Sequence, residues 1–216
     1  MPKVPELHRL NDLRPGVDQL ASTISLRHFN LSDTDDLMLW ATDDQVTRFC
    51  RWDTYTSREQ AVEFIESSMT HPYMRAICLE NRAIGAISVA SNSGNDRCRA
   101  ELGYVVASGC WGRGIATRAV KLVTSTIFIE WPHLERLEAL VDVENKASLR
   151  VLEKAGFKRE GVLRKYLILK GGTRDMVIFS LLSTDIQENT IIAKPAVLFG
   201  ACLLLSGMYR IKFASM

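Results

Sequence analysis

The chain has 216 residues, 27 basic and 25 acidic, for a formal charge of +2. That balance argues against a nucleic-acid binder resting on many phosphate contacts. An apolar share of 47% beside 24% charged residues excludes a disordered or collagen-like chain, and the length suits one domain or a small pair with a sizeable core.

The five cysteines, Cys50, Cys78, Cys98, Cys110 and Cys202, are odd in number and widely spaced. They form no C-x-x-C pair, so neither a zinc ribbon nor a disulfide framework is expected, and a reducing compartment is the simpler reading. The four histidines lack metal spacing, and no metal is expected. Residues 1–23 carry Glu6, Asp12 and Asp18 among prolines, with no apolar run. That is neither a signal nor a transit peptide, so a cytoplasmic location is expected.

In chain order, residues 1–23 read as an irregular lead-in. Ile24 to Phe29 alternate apolar and polar, a first strand. Ser32 and Asp33 look like the cap of a short helix carrying Leu37 and Trp40. Ser57 and Gln60 have capping-box spacing ahead of Ala61, Val62, Phe64, Ile65 and Met69. Strands are expected over 73–79, 83–90 and 98–107, with turns at 80–82 and 91–96. A glycine-rich turn, 109–114, precedes a helix over 114–130, which Pro132 ends. A strand over 137–143 follows, then a helix capped by Asn145 and stopped at Gly156. Strands over 157–168 and 174–182 flank a turn at 170–173. The order β-α-α-β-β-β-α-β-α-β-β is a mixed α/β domain. Its strand–helix–strand unit, 98–143, requires parallel strands and a right-handed crossover.

A glycine turn between strand and helix can hold phosphate on its N–H groups and on the helix dipole. A Walker A loop is excluded because G-K-[ST] is absent. A dinucleotide fingerprint starts at Gly112-Arg113-Gly114, but Thr117 stands where the third glycine or alanine belongs. Trp111-Gly112-Arg113-Gly114-Ile115-Ala116 also fits a coenzyme A pyrophosphate loop, and a plain tight turn remains open.

A second segment, Asn145-Lys146-Ala147-Ser148 running to Glu153-Lys154-Ala155-Gly156-Phe157, follows the next strand. With the glycine turn it resembles the GNAT family of acyl-CoA N-acyltransferases, over about residues 22–184. Glu101-Leu102-Gly103-Tyr104-Val105-Val106 and the N-x-x-S form of the helix look most like the RimJ/RimL branch. The resemblance implies a twisted mixed sheet, splayed between its fourth and fifth strands and flanked by helices. It implies acetyl-CoA as co-substrate and an amine acceptor, either a protein or peptide N-terminal α-amine or a small-molecule amine. The pantetheine arm would bond to Val105 and Val106, and the pyrophosphate to the N–H groups of Gly112, Arg113, Gly114, Ile115, Ala116 and Thr117. Trp111, counted with the coenzyme-binding turn, reads as an apolar plug of it, with stacking on the ligand as the other role. Glu101 becomes the candidate base, and Asn145 a cap touching the arm. The helix tyrosine that often protonates the thiolate is replaced by Leu152, which leaves Ser148 as hydrogen-bond donor. An acyl-CoA-binding module without turnover is the competing reading. The acceptor would meet Arg51, Trp52, Asp53, Tyr55 and the 169–174 turn.

The resemblance divides the chain into 1–23, a catalytic-type domain over 24–185, and a tail over 186–216. Within the tail, 195–209 is uncharged and mostly apolar, yet shorter than the ~20 residues of a spanning helix. An appendage without membrane contact is expected.

Overall fold

A computed structural model describes residues 24–186; the lead-in, 1–23, and the rest of the tail, 187–216, lie outside them. The elements are β1 (Ile24–Arg27), α1 (Thr34–Ala41), α2 (Asp44–Thr47), α3 (Arg58–Thr70), β2 (Met74–Leu79), β3 (Arg82–Ser91), β4 (Arg99–Val106), α4 (Ile115–Glu130), β5 (Arg136–Asp142), α5 (Lys146–Ala155), β6 (Lys158–Leu169) and β7 (Gly172–Leu182). The strands form one sheet in the order β1-β2-β3-β4-β5-β7-β6. Only β4 and β5 pair in parallel, as the strand–helix–strand pattern requires.

The hairpins follow from turn chemistry. Glu80 and Asn81 join β2 to β3 with φ of 50° and 65°, and Lys170 and Gly171 join β6 to β7 with φ of 49° and 77°. Two successive positive φ values make a two-residue turn whose twist matches the strands it links.

Helix α4 buries Ile115, Ala119, Val120, Val123 and Ile127, one stripe at helical spacing. Each large side chain so buried contributes about 2 kcal/mol. In α1, Leu37 and Trp40 enter the core, and the Trp40 indole N–H donates to Ala83 O at 3.1 Å. Helix α3 starts with the expected capping box of Ser57 and Gln60.

Two local expectations are corrected. Asp33 makes no side-chain cap for α1; it is buried, and its carboxylate takes two hydrogen bonds from Arg27, at 2.7 and 2.8 Å. Burial pushes the Asp33 carboxyl up, but the Arg27 hydrogen bond and the Asn30 N–H outweigh it and hold it below the usual range. Helix α2 had no reading in the sequence pattern. Asp43 caps it by accepting from Gln45 N at 2.9 Å.

Candidate active site

The site begins where two strands part. β4 and β5 stay in register only from Arg99↔Arg136 to Glu101↔Glu138. β4 continues to Val106 and β5 to Asp142 without pairing to each other, the splay that the family resemblance implies. On its other side β4 stays paired to β3 as far as Gly85↔Val106. Backbone groups in such a ladder alternate sides. Ala107 N donates to Ile84 O and Asn92 N to Arg99 O, so odd residues of β4 face β3. Arg136 N donates to Cys98 O, so even residues face β5. The alternation aims the backbone of Tyr104 and Val106 into the gap, and turns that of Val105 toward β3.

Glycine permits this geometry at one point the sequence reading missed. A Cβ on Gly85 would stand 2.2 Å from Val105 O and 3.0 Å from Val106 Cα. Only a residue without Cβ lets β3 approach β4 this closely where β4 leaves β5.

The turn before α4 has Gly112 and Gly114 at φ of 74° and 73°. The first helical hydrogen bond runs from Arg118 N to Gly114 O, so the N–H groups of Ile115, Ala116 and Thr117 precede any intrahelical partner. They form an electropositive helix end beside the strand gap. Trp111 does not act as an apolar plug. It is half exposed, and its indole N–H donates to Val106 O at 2.7 Å, occupying one of the acceptors the splay frees. Cys110, in the same turn, is buried, and burial raises its pKa, so it is not set up as a reactive thiol. Ser108, in the short helical turn Ser108–Cys110, donates to Asp43, tying the α2 cap to this turn.

Across the gap, Asp142 shapes the entry to α5. Its Oδ1 accepts from Glu144 N at 2.8 Å and its carbonyl from Asn145 N at 2.9 Å. Asn145 Oδ1 accepts from Ser148 N at 3.1 Å, the expected cap. Leu152 is fully buried in the core. The Tyr104 hydroxyl donates to Ser148 O at 3.3 Å. Burial pushes this phenol up to about 12, against the pull of that bond, so it stays protonated and able to donate. In the sequence Tyr104 stands only as part of the 101–106 strand motif; its nearness to Ser148, 44 residues away, needs the tertiary fold.

Two cavities meet here. A cleft of about 570 Å3 is lined by Val105, Val106, Trp111, Gly112, Gly114, Ile115, Ala116, Thr117, Asn145 and Ser148, among others. Arg113 sits within the turn but not on this lining. A second cavity of about 370 Å3 is lined by Arg51, Trp52, Glu101 and Gly103. Phe49, Cys50, Tyr104, Val105, Asn145 and Ser148 belong to both walls. Glu101 stands 3.3 Å from Arg51. Lys170 Nζ donates to Trp52 O and Asp53 Oδ1, both at 2.6 Å, which joins the 51–55 segment to the β6–β7 turn. Tyr55 packs on Trp52 with ring centroids 5.1 Å apart. Burial pushes the Cys50 thiol up to about 11, with Lys170 opposing.

A family model described as "Acetyltransferase (GNAT) domain" matches residues 23–158. The chain belongs to the GNAT acetyltransferase family. This acyl-CoA-dependent N-acetyltransferase is 29% identical to the uncharacterized N-acetyltransferase p20 of Bacillus licheniformis, over 75% of this chain and 94% of that one. Its fold superposes on the microcin C7 self-immunity acetyltransferase MccE, solved with acetyl-CoA and AMP, at a TM-score of 0.65 and 25% identity, over 74% and 92% of the two chains. It also matches the RimL ribosomal L7/L12 α-N-acetyltransferase, solved with coenzyme A, at 0.66 and 20%, over 76% and 96%. The co-substrate of this GNAT enzyme is acetyl-CoA. Among the described residues no group of three or more His, Cys, Asp or Glu could hold a metal ion, and no helix is long and apolar enough to cross a membrane.

Proposed function

We propose that this acetyltransferase modifies peptide or protein N-terminal α-amines, by direct attack in a ternary complex. The observation that carries the reading is the sparse proton-accepting equipment of the second cavity. Among its described lining residues the carboxylates are Glu101 and Asp142, and Asp142 is buried beside Arg174 with Nε 3.7 Å from its Oδ2. That leaves Glu101, part exposed, with no further carboxylate besides these two and no histidine among the described lining residues. An α-ammonium has a pKa near 7.7–8.0, so roughly a tenth or more is already neutral at pH 7, whereas a lysine ammonium near 10.4 is less than about a thousandth neutral. One solvated carboxylate suits the former.

In this reading Val106 N–H and the Tyr104 carbonyl hold the amide-bearing arm of the co-substrate, with Val105 contributing its side chain to the wall. The N–H groups at 112–117 take the pyrophosphate. The amine nitrogen forms its bond to the acetyl carbon as the carbon–sulfur bond breaks. Glu101 takes the proton that the nitrogen loses. Tyr104 N–H, on the side of Glu101 and Ser148, steadies the carbonyl oxygen. The sulfur leaves as thiolate beside two hydroxyls, those of Ser148 and Tyr104, and acquires a proton from solvent through them. Asn145 keeps Ser148 in place by capping α5.

The test is incubation with acetyl-CoA and three acceptor pools: peptides with free α-amines, α-blocked peptides with lysines, and small alkylamines. Thiol release and mass spectrometry are followed. Acetyl groups on α-amines are expected. Modification confined to lysines or small amines overturns the acceptor reading, and binding of acetyl-CoA without thiol release for any pool leaves only a binding module.

A further inference from the structure

We infer that one face of α5 carries a phosphate subsite, formed by Arg150 and Lys154 with Lys146 in the same row, for the 3′-phosphate of the coenzyme. The inference rests on the reading of the larger cleft as the acetyl-CoA site.

Coenzyme A carries a pyrophosphate and a separate 3′-phosphate. The N–H groups at 112–117 account for the first. The second, a compact group carrying close to two negative charges, needs its own donors farther from the thioester. Helix α5 provides the direction. Its first turn, Asn145 and Ser148, lines both cavities and so marks the reacting end. Lys146, Arg150 and Lys154 line the larger cleft alone. At 1.5 Å per residue, Lys154 lies ~14 Å along the axis from Asn145, toward the end away from the acceptor.

Spacing of four residues stacks these cations on one face of the helix. Nothing local favours that arrangement. Like charges at this spacing repel, and Lys146 in the first turn opposes the helix dipole. Lys146 folds back to donate to Val143 O at 2.7 Å. Arg150 and Lys154 make no hydrogen bond or ion pair with any described side chain, and both are exposed. The acidic residue of the same lining, Glu144, is already matched by Arg174 at 3.2 Å and Arg48 at 3.8 Å. The far end of the cleft is therefore left with positive charge suited to a phosphate dianion.

Calorimetric titration of the full chain with acetyl-CoA and with 3′-dephospho-acetyl-CoA tests this. The wild type should bind acetyl-CoA about tenfold more tightly, equivalent to one good charge-assisted contact. The double variant Arg150→Gln, Lys154→Gln should lose that preference, through weaker binding of acetyl-CoA alone. Retained binding of the dephospho ligand reports that the variant is folded. Equal affinities in the wild type, or equal loss of both ligands in the variant, overturns the subsite and leaves the coenzyme site standing. A wild type that binds neither ligand overturns the coenzyme reading and the subsite with it.

Discussion

The two halves of the cleft are built from different materials. The half proposed for the coenzyme is mostly backbone: the open groups of Tyr104 and Val106, the glycine turn at Gly112 and Gly114, and the helix end behind it. The half proposed for the acceptor is mostly side chains drawn from distant segments: Arg51 against Glu101, Lys170 on Asp53, Trp52 on Tyr55. A backbone site tolerates side-chain variation and fails when the chain path is blocked. A side-chain site fails residue by residue. The two halves should therefore respond differently to substitution.

The largest effect is expected at the turn. Gly114→Asp places a carboxylate on the proposed pyrophosphate seat, at a φ of 73° that a side chain strains, and should weaken acetyl-CoA binding ~100-fold or more by titration. Next comes Gly85→Ala, whose methyl must displace Val105 and Val106. It should cost about 1–3 kcal/mol in thermal or urea unfolding, with a parallel loss of coenzyme affinity.

In the acceptor half, Glu101→Gln should leave coenzyme affinity unchanged and slow acetyl transfer about 100-fold at pH 7. The deficit should narrow toward pH 9, because the α-amine then arrives neutral without help. A deficit that stays constant with pH would remove Glu101 as base. Tyr104→Phe should lower the maximal rate about tenfold, the order of one lost hydrogen bond to a charged sulfur, with the acceptor KM unmoved. Because burial holds that phenol up to about 12, the wild-type rate should show no alkaline fall from it below pH 10.

The smallest effect lies outside the cleft, and it tests whether the frame answers to acid separately from the site. Arg136 grips Glu160 with two hydrogen bonds, at 2.8 and 2.6 Å, and Ser180 adds a third. These bonds, the Arg136 one foremost, hold the Glu160 carboxyl at about 2, below its ordinary 4.5. A depressed carboxyl stabilises the fold above its unfolded pKa, and the contribution fades as pH falls from about 4.5 toward about 2. Glu160→Gln should lower the urea midpoint modestly at pH 6, since the pair is part exposed, and match the wild type near pH 2.

The same division of materials decides what could be read from the chain. The glycine turn, the Asn145 cap and the parallel β4–α4–β5 unit are local patterns, and each stands where its spacing places it. The acceptor half joins Arg51 to Glu101 and Trp52 to Lys170, pairs separated by 50 and 118 residues, and no periodicity encodes such meetings. The role of Gly85 was hidden for the same reason, because its neighbour is the backbone of another strand. Trp111 was misread because its apolar bulk is plain in the sequence, whereas the Val106 carbonyl that its N–H meets is freed only by the splay.

The most direct measurement is amide hydrogen exchange, residue by residue, with and without acetyl-CoA. The parting of β4 from β5 as the coenzyme slot predicts new protection at the Tyr104 and Val106 amides and in the 112–117 turn. Gly103 and Val105, which face β3, should stay protected in both states. Protection gained at 103 and 105 but not at 104 and 106, or no change in the strand at all, would contradict it.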